Sequence, residues 1–305
     1  VHGDSEAFRT GTIAVVGRPN VGKSTLVNRL IGQKLSITSR KAQTTRHRIT
    51  GILTDAARQF IFVDTPGFQT AHRSALNRVM NRTVQAALGE VDVVLLVVEA
   101  GHFGAADREV LAQIPEQSTT LLVMNKADRA KDRGALMAFA AERASEHAYA
   151  EIIPVSAKTG IQCEALLDAI ARYLPIQAPI YDAEQWTDRN ERFLASEIIR
   201  EKVFRQVGDE LPYTCTVVIE QFKEEPSDRD PNQRFCHIEA TILVARAGHK
   251  AMIIGRDGEK LKEIGSEARR DIERLLQARV HLGLWVKVKA GWNDNEAGLR
   301  AYGYD

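Results

Sequence analysis

Cysteine is scarce. Cys163, Cys215 and Cys236 are the only three in 305 residues, too few and too scattered for a disulfide framework or a CxxC-type zinc site. That suits a reducing compartment, and each thiol reads as a small buried side chain. No apolar run approaches the ~20 residues that a membrane-spanning helix needs. The longest, Val91 to Val98, is interrupted by Asp92 and reads as a buried strand. Residues 1–10 lack the apolar core of a signal peptide, so the expected location is the cytoplasm, with peripheral contact at the inner membrane as the upper limit. Charge of one sign is missing too: 41 Lys and Arg against 40 Asp and Glu leave a formal net charge of +1. The whole chain therefore does not attract a polyanion, and any basic face must be local. Internal repeats and low-complexity tracts are absent.

What remains is an ordinary globular composition, 44% hydrophobic and 27% charged, with length for two domains. From Thr12 to Leu174, β-branched and aliphatic runs alternate with helix-length segments. Thr12–Val16, Phe60–Val63, Val93–Val98, Thr120–Met124 and Ile152–Val155 read as strands, the pattern of a parallel sheet covered by helices. Pro175 and Pro179 then block helix continuation. We place a first α/β domain at 1–176, a linker at 177–188 and a smaller α+β domain at 189–305. In the latter, 190–206 reads as an amphipathic helix through Leu194, Ile198, Ile199 and Val203. Cys215–Phe222, Ile238–Val244 and Val280–Val288 read as strands.

Strand Thr12–Val16 runs into Gly17-Arg18-Pro19-Asn20-Val21-Gly22-Lys23-Ser24, then Thr25 and an apolar helix: a Walker A pattern in its strand-loop-helix context. Glycines let the loop wrap closely, backbone N–H groups and the helix N-terminus face phosphates, and Lys23 neutralises charge on the β and γ groups. Ser24 is the expected Mg2+ ligand. Asp64-Thr65-Pro66-Gly67 follows strand Phe60–Val63, where Asp64 can reach the metal shell and the Gly67 N–H the γ-phosphate. Asn125-Lys126-Ala127-Asp128 follows strand Thr120–Met124. The Asp128 carboxylate matches the two donors on guanine's edge, a pair that adenine lacks; Asn125 can tie its loop to the Walker A segment, and Lys126 can lie along the base. Ser156-Ala157-Lys158 offers a backbone N–H to the guanine carbonyl. An ATPase reading conflicts with the Asn125–Asp128 quartet. Between Gly22 and Asp64, the polar and basic stretch Ser39–Arg48 can close over a triphosphate. Thr44 or Thr45, with Thr45 preferred, is expected to bind Mg2+, and the flanking arginines are either solvated or in contact with RNA or cofactor.

This set, in this order, resembles the translation-factor-related GTPases over residues 10–174. In Ras-like switches a water-positioning glutamine follows Asp-x-x-Gly; here Phe68 stands there, with Gln69 one place out of register. An apolar ring cannot orient water, so intrinsic hydrolysis is expected to be slow. Asn20 resembles an asparagine that, in several related bacterial GTPases, helps hold K+ against the phosphates. The catalytic set is therefore Lys23, Asn20, Thr45 and Gly67, with GTP/GDP as ligand, Mg2+ as cofactor and K+ as a further candidate.

Residues 181–305 carry 20 basic and 23 acidic side chains, but 241–290 carry 11 and 6. The excess brackets Gly255-Arg256-Asp257-Gly258, which opens a helix with apolar residues at Leu261, Ile264, Ala268, Ile272 and Leu275. A Gly-x-x-Gly turn between helices beside a small sheet is the arrangement by which KH domains clamp single-stranded nucleic acid. Met252–Ile264 resembles the KH signature, in the order of the type II fold. Ile254, Gly255, Arg256, Gly258, Lys260 and Lys250 are the candidate RNA contacts, while Asp257 is ill suited to a phosphate.

One such GTPase module followed by one KH domain resembles the Era family of bacterial GTPases over nearly the whole chain. Gln43–Arg48, Thr187–Arg189 with Glu197–Lys202, and Trp285–Lys289 add to the likeness. The resemblance implies binding of the 3′ end of small-subunit ribosomal RNA, a role in assembling the 30S subunit, and release after GTP hydrolysis, with no obligate protein partner evident. The rival is a signalling or membrane-associated GTPase whose C-terminal domain binds protein, with Gly255–Gly258 only a structural turn; the few aromatics among the basic residues keep it open.

Overall fold

The computed structural model describes residues 7–38, 44–68, 74–130, 132–207, 214–226, 234–293, 296–300 and 302. The chain divides into two units: Val1–Ser36, Thr45–Arg73 and Asn77–Asp188 in one, and Ile37–Thr44, Ser74–Leu76 and Arg189–Asp305 in the other.

The first unit is a six-stranded sheet in the order β2-β3-β1-β4-β5-β6. Its strands are β1 (Arg9–Val16), β2 (Ile49–Thr54), β3 (Arg58–Asp64), β4 (Val93–Glu99), β5 (Thr120–Asn125) and β6 (Glu151–Pro154). All pairs are parallel except β2 with β3. Val93 to Val98 of β4 are fully buried, which explains a strand with no polar alternation: both of its faces are covered. The helices are α1 (Lys23–Ile31), α2 (Ala75–Leu88), α3 (Ala105–Leu111), α4 (Arg133–Glu146) and α5 (Cys163–Ala171). α1 stops at Gly32, whose left-handed backbone lets its N–H bond the Asn28 carbonyl. The stretch read as a linker is fastened to this unit: the Gln59 carboxamide oxygen accepts from the N–H groups of Ile180 and Tyr181, and Thr187 Oγ1 donates to the Thr50 carbonyl at 2.7 Å.

The second unit runs α6 (Glu191–Gln206), β7 (Cys215–Pro226), β8 (Arg234–Val244), α7 (Ala247–Ile254), α8 (Glu259–Leu276), β9 (Arg279–Val288) and α9 (Glu296–Arg300). β8 lies between an antiparallel β7 and a parallel β9. Alternation along β8 sends Cys236, Ile238, Ala240 and Ile242 into a core with Ile199, Phe204, Ile264, Ala268 and Ile272. Each large aliphatic side chain there contributes about 1.5–3 kcal/mol.

Two expectations need correction. α6 is not amphipathic in burial: beside Leu194, Ile198 and Val203, the charged Glu197, Arg200, Glu201 and Lys202 are all buried. Pairing permits this, Arg200 with Glu197 and Lys202 with Asp271. Arg46, for which a solvated position was one of the two readings, is only 2% exposed, which removes that one.

Candidate active site and candidate nucleic-acid interface

Parallel strands deliver their connecting loops to one edge of a sheet, where ligands of such folds sit. Register aligns Val15 of β1 with Asp64 of β3 and Glu99 of β4 with Asn125 of β5. The loops after β1, β3, β5 and β6 therefore converge, bringing together the residues singled out from the sequence. Gly17 through Thr25 form the turn into α1, with Asn20 exposed in a left-handed conformation and Val21 buried.

Lys23 is 6% exposed; its Nζ donates to the carbonyls of Gly17 and Arg18 at 2.9 and 3.0 Å. Burial lowers its pKa to about 8, opposed by the Asp64 carboxylate. Asp64 is completely buried, and neither carboxylate oxygen has a hydrogen-bond partner. Burial raises its pKa, with the Ser36 and Ser24 hydroxyls and the Lys23 ammonium pulling the other way. Ser24 Oγ lies 2.6 Å from Thr45 Oγ1. A buried, unpartnered carboxylate beside two close hydroxyls is a donor set of the hard-oxygen kind that suits Mg2+. Gly67 approaches Pro19 so closely that a Cβ there would lie 2.9 Å from the proline ring. Phe68 is buried among Ala14, Val16, Val84 and Leu88. Gln69 lies outside the described residues.

On the base side, Asn125 is 2% exposed and links two loops: Nδ2 donates to the Val21 carbonyl at 2.8 Å and Oδ1 accepts from the Ala157 N–H at 3.0 Å. Gly22 makes this approach feasible, since a Cβ there would lie 2.3 Å from Asn125 Nδ2. Asp128 is exposed, and Ser156 Oγ donates to it at 2.6 Å, a bond that holds its carboxyl below the usual range. Lys126 reaches Glu99 at 2.8 Å, while Ser156 and Ala157 are buried and Lys158 is exposed.

Sequence reasoning missed the residues that hold these loops. Asn28 Oδ1 accepts from the N–H groups of Leu35 and Ser36 and its Nδ2 donates to the Ser36 carbonyl, placing Ser36 near Asp64. Thr65 Oγ1 fastens the β3 loop to the Val15 carbonyl at 2.8 Å. Arg29 holds the carbonyls of Ala157 and Lys158. Only the position of Thr65 inside Asp64–Gly67 gave a signal in the sequence.

In the second unit, Gly255, Asp257 and Gly258 all take positive φ, forming a tight turn between α7 and α8 with Arg256 and Asp257 almost wholly exposed. Beside it runs a groove of about 450 Å3 between α8 and β9, lined by Gly258, Leu261, Lys262, Ser266, Arg269, Leu282 and Leu284 among others. It continues into a space of about 810 Å3 bounded by Arg269, Arg270, Arg274 and Arg279. Of the six RNA candidates only Gly258 lines this path; Ile254, Gly255, Arg256, Lys260 and Lys250 do not. The basic lining was missed because its residues recur along one face of α8 and at the start of β9, away from the glycine turn.

A family model described as 50S ribosome-binding GTPase matches residues 12–126, and one described as KH domain matches 210–293. GTPase Era of Nitrosomonas eutropha is 52% identical over 301 residues, 99% of each chain, and that of Bordetella avium is 51% identical over the same share. Among solved structures, a variant of Aquifex aeolicus Era bound to GDP·AlF4− superposes with a TM-score of 0.92 at 36% identity, covering 97% of this chain and 99% of that one. Era in complex with MgGDPNP and nucleotides 1506–1542 of 16S ribosomal RNA matches equally well. With half its residues shared along nearly its whole length, the chain belongs to the Era family of GTPases.

Proposed function

We propose that this GTPase is a switch: GTP occupies the first unit, the second unit binds the 3′ region of 16S ribosomal RNA, and the two act in assembling the small ribosomal subunit in the cytoplasm. Asp64 carries the nucleotide half of the reading. A carboxylate shut away from water, with the Ser36 and Ser24 hydroxyls near it but no hydrogen bond of good geometry, is costly, and a cation held there with Ser24 and Thr45 would offset it. Bound Mg2+ would supply positive charge to the phosphate oxygens. Lys23, now satisfied by its own loop's carbonyls, is placed to turn its ammonium to the β and γ phosphates; the Gly67 N–H can donate to the γ group. Asp128 would accept from the guanine edge, and the Ala157 segment, fixed by Asn125, would present its backbone to the guanine carbonyl. K+ held with the help of Asn20 would add charge where Phe68 can give no hydrogen bond.

The RNA half is supported by the arginine-lined groove beside Gly258 and by the 16S fragment bound to the Era relative. The test is GTP turnover with and without an oligonucleotide matching the 16S 3′ end, alongside one from large-subunit RNA. Stimulation by the first alone is expected. No stimulation, or unchanged RNA affinity in a Gly255→Asp, Gly258→Asp double variant, would favour a protein-binding role for the second unit.

A further inference from the structure

Alternation along β8 sends Cys236, Ile238 and Ala240 to the core, so His237 and Glu239 lie on the other face of the sheet. There the parallel register sets His281 of β9 beside His237, their ring centroids 4.6 Å apart. His237 Nε2 is 2.6 Å from Glu239 Oε1, and a ligand atom from each of the three residues lies within 4.8 Å of the other two. Glu239 Oε2 is buried without a hydrogen-bond partner. The position opposite Glu239 is Gly283, where a Cβ would lie 1.9 Å from that same oxygen. The sheet thus leaves a side chain out to admit this carboxylate, and then supplies one of its oxygens with no donor.

We propose that His237, Glu239 and His281 form a binding site for a borderline divalent transition metal, with Zn2+ the best match. Two imidazoles and one carboxylate are donors that Zn2+ accepts, and hard Mg2+ favours oxygen alone. Tetrahedral coordination at about 2.0–2.2 Å puts donor atoms about 3.3 Å apart. Water would take the fourth position, since all three residues are at least partly open to solvent. The ion would give the Glu239 carboxylate a counter-charge, and it would fix His281, which also lines the groove beside α8. The three thiols do not compete, because Cys236 faces the core and Cys163 and Cys215 are buried.

The experiment uses the untagged full chain loaded with Mg2+ and GDP, titrated with Zn2+ by calorimetry and with Co2+ by visible absorption. One equivalent of Zn2+ is expected beyond the Mg2+ site, lost in His237→Ala, His281→Ala and Glu239→Gln but kept in His249→Ala. His281 is exposed and Glu239→Gln keeps a hydrogen-bond acceptor for His237, so at least these two variants should fold; GDP binding checks that they do. The proposal is overturned if the native chain takes up no Zn2+, if the folded variants bind as the native chain does, or if the Co2+ spectrum carries a thiolate charge-transfer band.

Discussion

Asn125 and Val21 are joined by a 2.8 Å hydrogen bond from the buried carboxamide to the carbonyl of the phosphate loop, and the other end of that carboxamide holds Ala157. One side chain thereby sets the spacing between the segment expected to meet phosphate and the two expected to meet the base. Asn125→Ala would leave the Val21 carbonyl and the Ala157 N–H without their partner in a buried setting, each worth about 1–3 kcal/mol. A lower melting temperature and weaker GDP binding should appear together. Calorimetry giving native GDP affinity for the variant would detach Asn125 from the site.

Proton linkage provides a second test. Burial holds the Lys23 pKa near 8, below the 10.5 of an exposed lysine. The unfolded chain therefore binds this proton more tightly, and the stability of the nucleotide-free protein should rise with pH between about 8 and 10.5. A polyphosphate beside Lys23 favours the charged form, so binding in that window must take up a proton, and affinity should fall as pH rises through it. Below pH 8 the lysine is already charged and contributes no uptake. Calorimetry of GTP binding at pH 9 in buffers of different ionisation enthalpy measures this directly. Equal heats across buffers, or the same proton uptake in native and Lys23→Met chains, would refute it.

Much of this was legible in the sequence because the informative residues are local. A Walker A loop between a strand and a helix, and Asn125–Asp128 at a strand end, carry their meaning within a few positions. β2 was not legible: Ile49–Thr54 is short and holds Gly51 at its centre, a residue that weakens a strand reading. In the fold Gly51 instead makes room for Ile31 and Leu35. The burial of Arg200 and Lys202 was hidden for a different reason. Periodicity assigns charge to solvent, whereas here tertiary partners such as Asp271, some 70 positions away, change the outcome. The groove residues were obscured in the same way, since Arg269, Arg270 and Arg274 on α8 meet Arg279 of β9 only when helix and strand pack together.

Those arginines yield a third prediction. For single strands each phosphate contact contributes about 0.7 to the slope of log affinity against log salt. Arg269→Ala and Arg274→Ala should each weaken binding of the 16S 3′ oligonucleotide and flatten that slope by about this amount. Arg256→Ala, at the glycine turn and outside the groove, should change the slope less. A salt series in which the Arg256 variant alone loses affinity would move the nucleic-acid path from α8 and β9 back to the turn.

Phe68 gives the last. Its ring is buried in the cluster that also holds Val84 and Leu88, so the place where a Ras-like switch holds a water-positioning glutamine is occupied by a side chain with no hydrogen bond to give. Transition-state charge must then be met from elsewhere, and Asn20 is the residue of the phosphate loop that is both polar and exposed with a left-handed backbone. If K+ held there supplies the charge, turnover should be faster in K+ than in Na+ at equal ionic strength by up to ~100-fold, the scale on which such electrostatic groups act. Asn20→Asp can still hold a cation and should keep most of the difference, while Asn20→Ala should bring the two rates together at the lower value. Rates that match in K+ and Na+ for the native chain would take the cation out of the mechanism and direct attention to Gln69 and the segment that carries it.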